Sequence, residues 1–271
     1  MKSYIIHLVR HGMTVSNIEG RFAGTTDVAL SEKGINNLRE LKDKYDYEKP
    51  EIIFSSPLTR CIDTAKTLYG EDKEIRIVND LHEINLGDFE GQLADDLVND
   101  PQYIEWARSG MAPPNGESNN DFAKRVCTAF VRTIRDILKS GKTNTAICTH
   151  GGVIMMLLSV YGIPERESID WLCNNGRGYT IRVTPSIWMR TGMIEVLSEY
   201  PFGSNEEPTL AKNPAKENGF SVTTGIDNLE KPTPDYELDE DYYDDEYADN
   251  DDTQSQVIWA DIDEQSDKTE Q

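Results

Sequence analysis

Positive charge is scarce in this sequence: 27 lysines and arginines face 49 aspartates and glutamates, a formal charge of −22. Proteins that grip a nucleic-acid backbone need clustered cations, so no nucleic-acid partner is expected. Cysteine is sparse too, with Cys61, Cys127, Cys148 and Cys173 set far apart. Neither a zinc ribbon nor a disulfide scaffold has such spacing, and the four read as buried small side chains in a reducing compartment. Long hydrophobic runs are missing as well. The longest, Gly151 to Ile163, is broken by Ser159 and Tyr161; it is too short to span a bilayer and suits a buried helix. Met1, Lys2 and Ser3 lead straight into the short apolar segment Tyr4 to Val9, so no secretory leader is expected. A cytoplasmic protein with no membrane partner follows as the expectation.

The acidity is unevenly spread. Ser204 to Gln271 holds 21 acidic residues and only four basic ones, a net of −17, which leaves −5 for the first 203 residues, a value ordinary for a globular domain. Two units are expected: a domain over 1–203 and an acidic tail over 204–271. From Tyr236 to Asp252 the tail reads YELDEDYYDDEYADNDD. Like charges repel there and little aliphatic surface exists to offset the ordering entropy, so disorder is expected. Val257, Ile258, Trp259 and Ala260 read as an apolar fragment of that tail, with a docking motif for a protein partner as the alternative. The run matches no Asp-x-Asp-x-Asp-Gly calcium loop.

The first 203 residues alternate strand and helix patterns, as an α/β domain requires. A strand over Tyr4 to Val9 ends in a polar turn. Ser31 has the place of an N-cap for a helix carrying Ile35, Leu38 and Leu41, up to about Tyr45. A strand over Glu51 to Ser55 is followed by a helix from Pro57 to Gly70, then by a strand over Ile75 to Val78. Leu81 to Gly116 is irregular and polar, with short helices at most near 93–98 and 101–109, which suits a substrate cover better than a core. Ser118 to Leu138 is the longest helical pattern, with Phe122, Val126, Phe130, Ile134 and Ile137 on one face. A strand over Thr145 to Thr149, a buried helix over Val153 to Tyr161, and strands over Tyr179 to Thr184 and Met193 to Ser198 complete the domain.

Four segments carry chemistry, at strand ends and helix starts where open α/β sheets bind ligands. In LVRHGMT, Arg10 can bind an anion at which His11 points, and Gly12 lets the backbone approach. In SSPLTRC, Arg60 lies in the first turn of a helix, where a guanidinium adds a clamp to an anion-favouring N-terminus. In CTHGG, His150 precedes Gly151 and Gly152 at a helix start, presenting an imidazole and backbone N–H groups to one anion. LHEINLGDFEG bears Glu83, Asp88 and Glu90, from which a carboxylic acid could reach a leaving group. Taken singly, an arginine here is commonly a salt-bridge partner, a histidine a helix cap, and a loop carboxylate simply solvated.

Together, LVRHGMTVSN, GTTDVALSEKG, SSPLTRCIDTA, LHEINLGDFEG, PPNGES and THGG resemble, in order, the histidine phosphatase superfamily, also called the phosphoglycerate mutase-like branch. The resemblance spans about residues 4–200. It implies a three-layer α/β/α sandwich around a mostly parallel sheet. By the same resemblance His11, Arg10, Arg60, His150 and Glu83 are catalytic, and Asn17, Gly24, Thr25 and Gly151 bind substrate. Met13 and Cys61 depart from the family pattern, standing where an acidic residue and a small alanine are common. His7 is expected to be structural, and His82 lies beside the candidate acid.

The implied mechanism is attack by neutral His11 on phosphorus to give a phosphohistidine, with Arg10, Arg60 and His150 neutralising the phosphoryl oxygens. Glu83 would protonate the leaving group and then activate water, with Asp88 in reserve. The scheme requires no metal and no cofactor. A phosphomonoester hydrolase of a small phosphorylated metabolite is the leading expectation. Its rival is a phosphoglycerate mutase, which shares every catalytic residue but needs a basic cap. The basic residues between Glu83 and His150 are Arg108, Lys124, Arg125, Arg132, Arg135, Lys139 and Lys142, most of them on the long helix, which favours hydrolysis. A non-catalytic interaction protein with a recruiting tail is the third alternative.

Overall fold

The computed structural model describes residues 2–203, together with Pro232 and Pro234. The expected disordered tail, its apolar fragment at 257–260 and the domain boundary after Gly203 therefore fall largely outside the described residues. Strands and helices run in the order β1 (Tyr4–Arg10), α1 (Val15–Glu19), α2 (Glu32–Lys44), β2 (Ile52–Ser55), α3 (Thr59–Tyr69) and β3 (Ile75–Ile77). Then follow α4 (Ala94–Leu97), α5 (Pro101–Ser109), α6 (Asn119–Ser140), β4 (Asn144–Thr149), α7 (Gly151–Tyr161), β5 (Gly162–Ile163), β6 (Gly178–Val183), α8 (Pro185–Thr191) and β7 (Ile194–Tyr200).

The strands form one mixed sheet in the order β3-β2-β4-β1-β6-β7-β5. β3, β2, β4 and β1 are parallel, β6 runs antiparallel to both β1 and β7, and β5 lies parallel to β7. Strand periodicity splits each inner strand between two cores. Ile6 and Leu8 of β1, Ile52 and Phe54 of β2 and Ile147 of β4 pack with α6 and α7, in a core that includes Phe122, Phe130, Ile134, Val153 and Leu157. Val9, Ile53, Ala146 and Cys148 face the other way, onto Leu38 and Leu41 of α2 and Ala65 and Leu68 of α3. This is the expected three-layer sandwich with a mostly parallel sheet, and it explains why the inner strands read as continuous apolar runs.

Helix starts follow local chemistry. Ser31 Oγ accepts from Gly34 N at 2.9 Å and Ser118 Oγ from Asp121 N at 3.1 Å, each capping the helix that follows. α3 begins at Thr59, not at Pro57 as the proline rule suggested. Leu58 stays extended, and Asp27 from a distant loop caps the helix by accepting from Thr59 N at 2.8 Å and Thr59 Oγ1 at 2.6 Å. α1 was not expected, because none of its residues is buried and no apolar period marks it. Its start is a reciprocal cap between Thr14 and Asn17. α8 was also missed, and β5, at two residues, is too short to leave a pattern.

The segment expected to be a polar cover has a small core of its own. Leu86, Phe89, Leu97 and Tyr103 are buried together, with Phe22 and Trp106 against them. Widely separated aromatic residues meet there without any periodicity in sequence. Among the described residues no helix is long and apolar enough to cross a membrane.

Candidate active site

β1, β2 and β4 all end on the same edge of the sheet, and Arg10, Ser56 and His150 follow directly from that geometry. His11 leaves β1 with its backbone still paired, its N donating to Thr149 O at 2.9 Å. Its Nδ1 donates to Gly12 O at 2.7 Å. A carbonyl only accepts, so Nδ1 carries the proton and Nε2 keeps the lone pair. Gly12 has no room for a side chain, since a Cβ there would lie 2.6 Å from Leu38 Cδ1. The rings of His11 and His150 stand 5.3 Å apart, tilted by 60°.

Both imidazoles are buried and held neutral. Burial is the largest cause for His11, with the Arg60 and Arg10 guanidinium groups adding to it, and the pKa lies well below 6.5. His150 is likewise lowered, by burial first and then by His11, Arg60, His82 and Arg10. Ser56 Oγ lies 2.7 Å from His150 Nε2, and Cys61 Sγ lies 3.5 Å from the same nitrogen. Ser56 was not singled out in the sequence. Cys61 belongs to the core under α3 and donates to Thr149 O at 3.4 Å, while burial pushes its thiol pKa well up, so it remains a neutral packing group. Met13 contributes its backbone carbonyl, which accepts from Ser31 N and Ser31 Oγ at 3.0 Å.

Arg60 is buried, Arg10 is half-buried, and both are only partly satisfied. Arg10 Nη1 donates to Cys173 O at 2.7 Å. Arg60 donates from Nη1 to Thr26 O at 2.8 Å and from Nη2 to Gly24 O at 2.6 Å. In each, Nε is buried and has no hydrogen-bond partner among the described residues. The fork of Arg60 thus holds the 24–26 loop, a use of the guanidinium that the sequence did not show. Buried N–H groups without partners next to a neutral imidazole are a cost that an anion relieves.

Gly24 and Thr25 serve that loop. Thr25 N and Oγ1 donate to Glu90 Oε1 at 2.8 and 2.9 Å, Thr26 N donates to Glu90 Oε2 at 2.7 Å, and Thr26 Oγ1 bonds the same oxygen. Burial raises the Glu90 pKa, but these hydrogen bonds, those from Thr26 foremost, outweigh it and leave the group below its ordinary value. A Cβ on Gly24 would strike Ile84 O. Asn17 Oδ1 accepts from Thr14 N at 3.1 Å and from Asn175 Nδ2 at 3.3 Å, and Asn175 Nδ2 also reaches His11 O at 3.0 Å. Asn175, in a turn before β6, gave no signal in sequence.

Glu83 is half-buried. Its Oε2 accepts from Gly152 N at 3.0 Å and its Oε1 from Ile84 N at 3.0 Å. One N–H of the α7 start is thereby taken by a carboxylate of the protein, and a Cβ on Gly152 would collide with it. Gly151 lies against Arg10, with a Cβ position 3.3 Å from Nε. Arg125 of α6 fixes the loop from behind, donating to Asp80 O at 2.7 Å, His82 O at 3.1 Å and Glu83 O at 3.4 Å, and pairing with Glu117 at 2.6 Å. His82 Nδ1 donates to Glu83 O at 2.8 Å. Asp88 is exposed and accepts from Asn115 Nδ2 at 2.9 Å. His7 is buried in the sheet, 3.1 Å from Thr180 Oγ1 and stacked on Tyr200 at 4.2 Å, in keeping with a structural place. A cavity of about 740 Å³ opens beside Asn17, Glu83 and Gly152 and runs toward Phe22, Tyr103 and Trp106.

Several known proteins are similar to this chain. The 2,3-bisphosphoglycerate-dependent phosphoglycerate mutase of Xanthobacter autotrophicus is 33% identical over 183 residues, covering 62% of this chain and 88% of that one. The adenosylcobalamin/alpha-ribazole phosphatase of Salmonella typhimurium is 31% identical over 157 residues, covering 56% and 76%. The crystal structure of phosphoglycerate mutase from Bacillus anthracis superposes with a TM-score of 0.61 over 73% of this chain and 92% of that one, at 21% identity, and so speaks to the fold. The family model of the histidine phosphatase superfamily (branch 1) matches residues 6–190. With two neutral imidazoles, the buried Arg60 and the half-buried Arg10 at the end of a mixed sheet, and with that match, the chain belongs to the histidine phosphatase superfamily, a family of enzymes.

Proposed function

We propose that this chain hydrolyses phosphomonoesters of a small metabolite through a phosphohistidine on His11, without a metal or other cofactor. The observation that carries the reading is the pairing of a lone-pair-bearing His11 Nε2, fixed by the Nδ1 bond to Gly12 O, with the unpartnered Nε groups of Arg10 and Arg60. A phosphate dianion entering there meets fixed positive charge, and no solvent reorganisation is needed as charge develops on its oxygens. Attack by Nε2 on phosphorus forms the P–N bond as the P–O bond to the alcohol breaks. Glu83 gives its proton to the departing oxygen; as a carboxylate it then takes one from the water that attacks the phosphohistidine, releasing phosphate. Arg10, Arg60 and His150 hold the phosphoryl oxygens throughout.

Hydrolysis is favoured over mutase chemistry by the charge around the cavity. Among the described residues Arg21 is the only cation lining it, and it is paired with Glu19 at 2.6 Å. A phosphoglycerate mutase must retain a bisphosphate intermediate, whose second phosphate and carboxylate would find no unpaired cation on that wall. The deciding experiment incubates the full chain with a phosphoester and separately with 3-phosphoglycerate. Inorganic phosphate release, an acid-labile phosphate trapped on wild type and missing from His11→Ala, and no isomerisation of 3-phosphoglycerate are expected. Isomerisation faster than phosphate release would assign the chain to the mutases.

A further inference from the structure

The cavity beyond Glu83 points to the class of alcohol that leaves. This step rests on the hydrolase reading, since it concerns the group that Glu83 would protonate. Three features meet in that cavity. Its far wall is aromatic, with Phe22 and Tyr103 centred 5.7 Å apart and Tyr103 and Trp106 5.5 Å apart. Phe89 backs this wall at 5.7 Å from Tyr103 and 6.0 Å from Trp106, so the rings are braced from behind. α5, which supplies two of them, is fixed by Asp100 accepting from Gln102 N at 2.8 Å and Tyr103 N at 3.1 Å. A preset aromatic wall can receive a planar group with little ordering cost.

The second feature is charge. Among the described residues Glu19, Glu83 and Asp95 line the cavity, against the single cation Arg21, which is already paired with Glu19. A carboxylate or second phosphate on the alcohol would face like charge with no compensation. The third is size. At about 740 Å³ the cavity falls in the range that holds a drug-sized ligand, which glycerate would leave largely unfilled.

We propose that the phosphoester accepted here carries a planar, apolar alcohol portion without negative charge, seated against Phe22, Tyr103 and Trp106. Carboxylated alcohols are discriminated against by Asp95, since the charge of Glu19 is paired with Arg21. The test measures binding of two non-hydrolysable probes to the full chain by calorimetry: 2-naphthylmethylphosphonate and 2-carboxyethylphosphonate. The naphthyl probe should bind about tenfold more tightly, the worth of one to two aromatic contacts. Trp106→Ala should erase most of that preference and leave the carboxylated probe unchanged, with Trp106→Phe restoring much of it. Asp95→Asn, at an exposed position, should strengthen the carboxylated probe about threefold, the scale of one near-surface like charge. Equal binding of the two probes, or tighter binding of the carboxylated one, overturns the proposal. Hydrolysis of 2-naphthylmethyl phosphate is read separately: tight naphthyl binding without phosphate release would sink the hydrolase reading and leave the cavity assignment standing.

Discussion

Arg125 offers a quantitative test, because its guanidinium ties the backbone of three residues around the candidate acid to a carboxylate on another segment. It donates to the carbonyls of Asp80, His82 and Glu83 and forks onto Glu117, whose Oε1 also accepts from Asn85 N at 2.8 Å. Replacement by methionine keeps the apolar stem over Phe122 and removes every donor. Breaking one side of a fully buried pair costs about 3–5 kcal/mol. Arg125 and Glu117 are 16% and 17% exposed, so water screens part of that, and a loss of about 2–3 kcal/mol is expected. For a domain of this size, that lowers the melting temperature by roughly 4–12 °C.

The kinetic effect should be selective. With the 80–85 backbone released, Glu83 loses its alignment, and misplacement of a catalytic group by about 1 Å costs up to about a hundredfold in rate. Alkyl phosphates, whose leaving group needs a proton, should slow by about ten- to a hundredfold, and aryl phosphates much less. Arg125→Lys, which retains charge but not the fork, should fall between. Adding Glu117→Gln to Arg125→Met should cost less than the two changes summed, because the orphaned carboxylate is gone. If Arg125→Met melts within about 1 °C of wild type and slows alkyl and aryl phosphates equally, Arg125 does not brace the acid.

Glu83→Gln should lose most activity on alkyl phosphates and little on aryl ones; equal losses would point to a different acid. Because burial and the two guanidinium groups keep His11 neutral well below its ordinary range, kcat/KM should show no fall centred near pH 6.5, and a fall there would contradict the assignment. His7, His11 and His150 are all lowered by burial, so the unfolded chain takes up protons below about pH 6.5 that the native state refuses. Stability is then complete above that pH and lost as pH falls through it, by up to about 1.4 kcal/mol per pH unit for each histidine. Urea midpoints that stay level between pH 7.5 and 5.5 would refute the linkage. Since the guanidinium groups of Arg10 and Arg60 supply the positive charge, EDTA should leave turnover unchanged; loss of activity restored by a divalent metal would overturn the metal-free scheme.

Sequence by itself determined the parts of this protein governed by local rules. Ser31 and Ser118 start their helices because a hydroxyl satisfies an N–H one turn on, and the α6 stripe repeats every three to four residues because a helix does. The order of strand ends carrying Arg10, His11 and His150 was legible for the same reason. What tertiary structure alone decided is where polar groups find partners over long sequence separations. Asp27 caps a helix 32 residues away, Arg60 spends its fork on Gly24 and Thr26, Glu83 takes the Gly152 N–H, and Arg125 braces the loop that bears the acid. The aromatic wall of Phe22, Tyr103 and Trp106 was invisible because its members share no period. The neutrality of His11 also depends first on burial, a property of the whole sandwich, and only second on the arginines that can be seen nearby in the motifs.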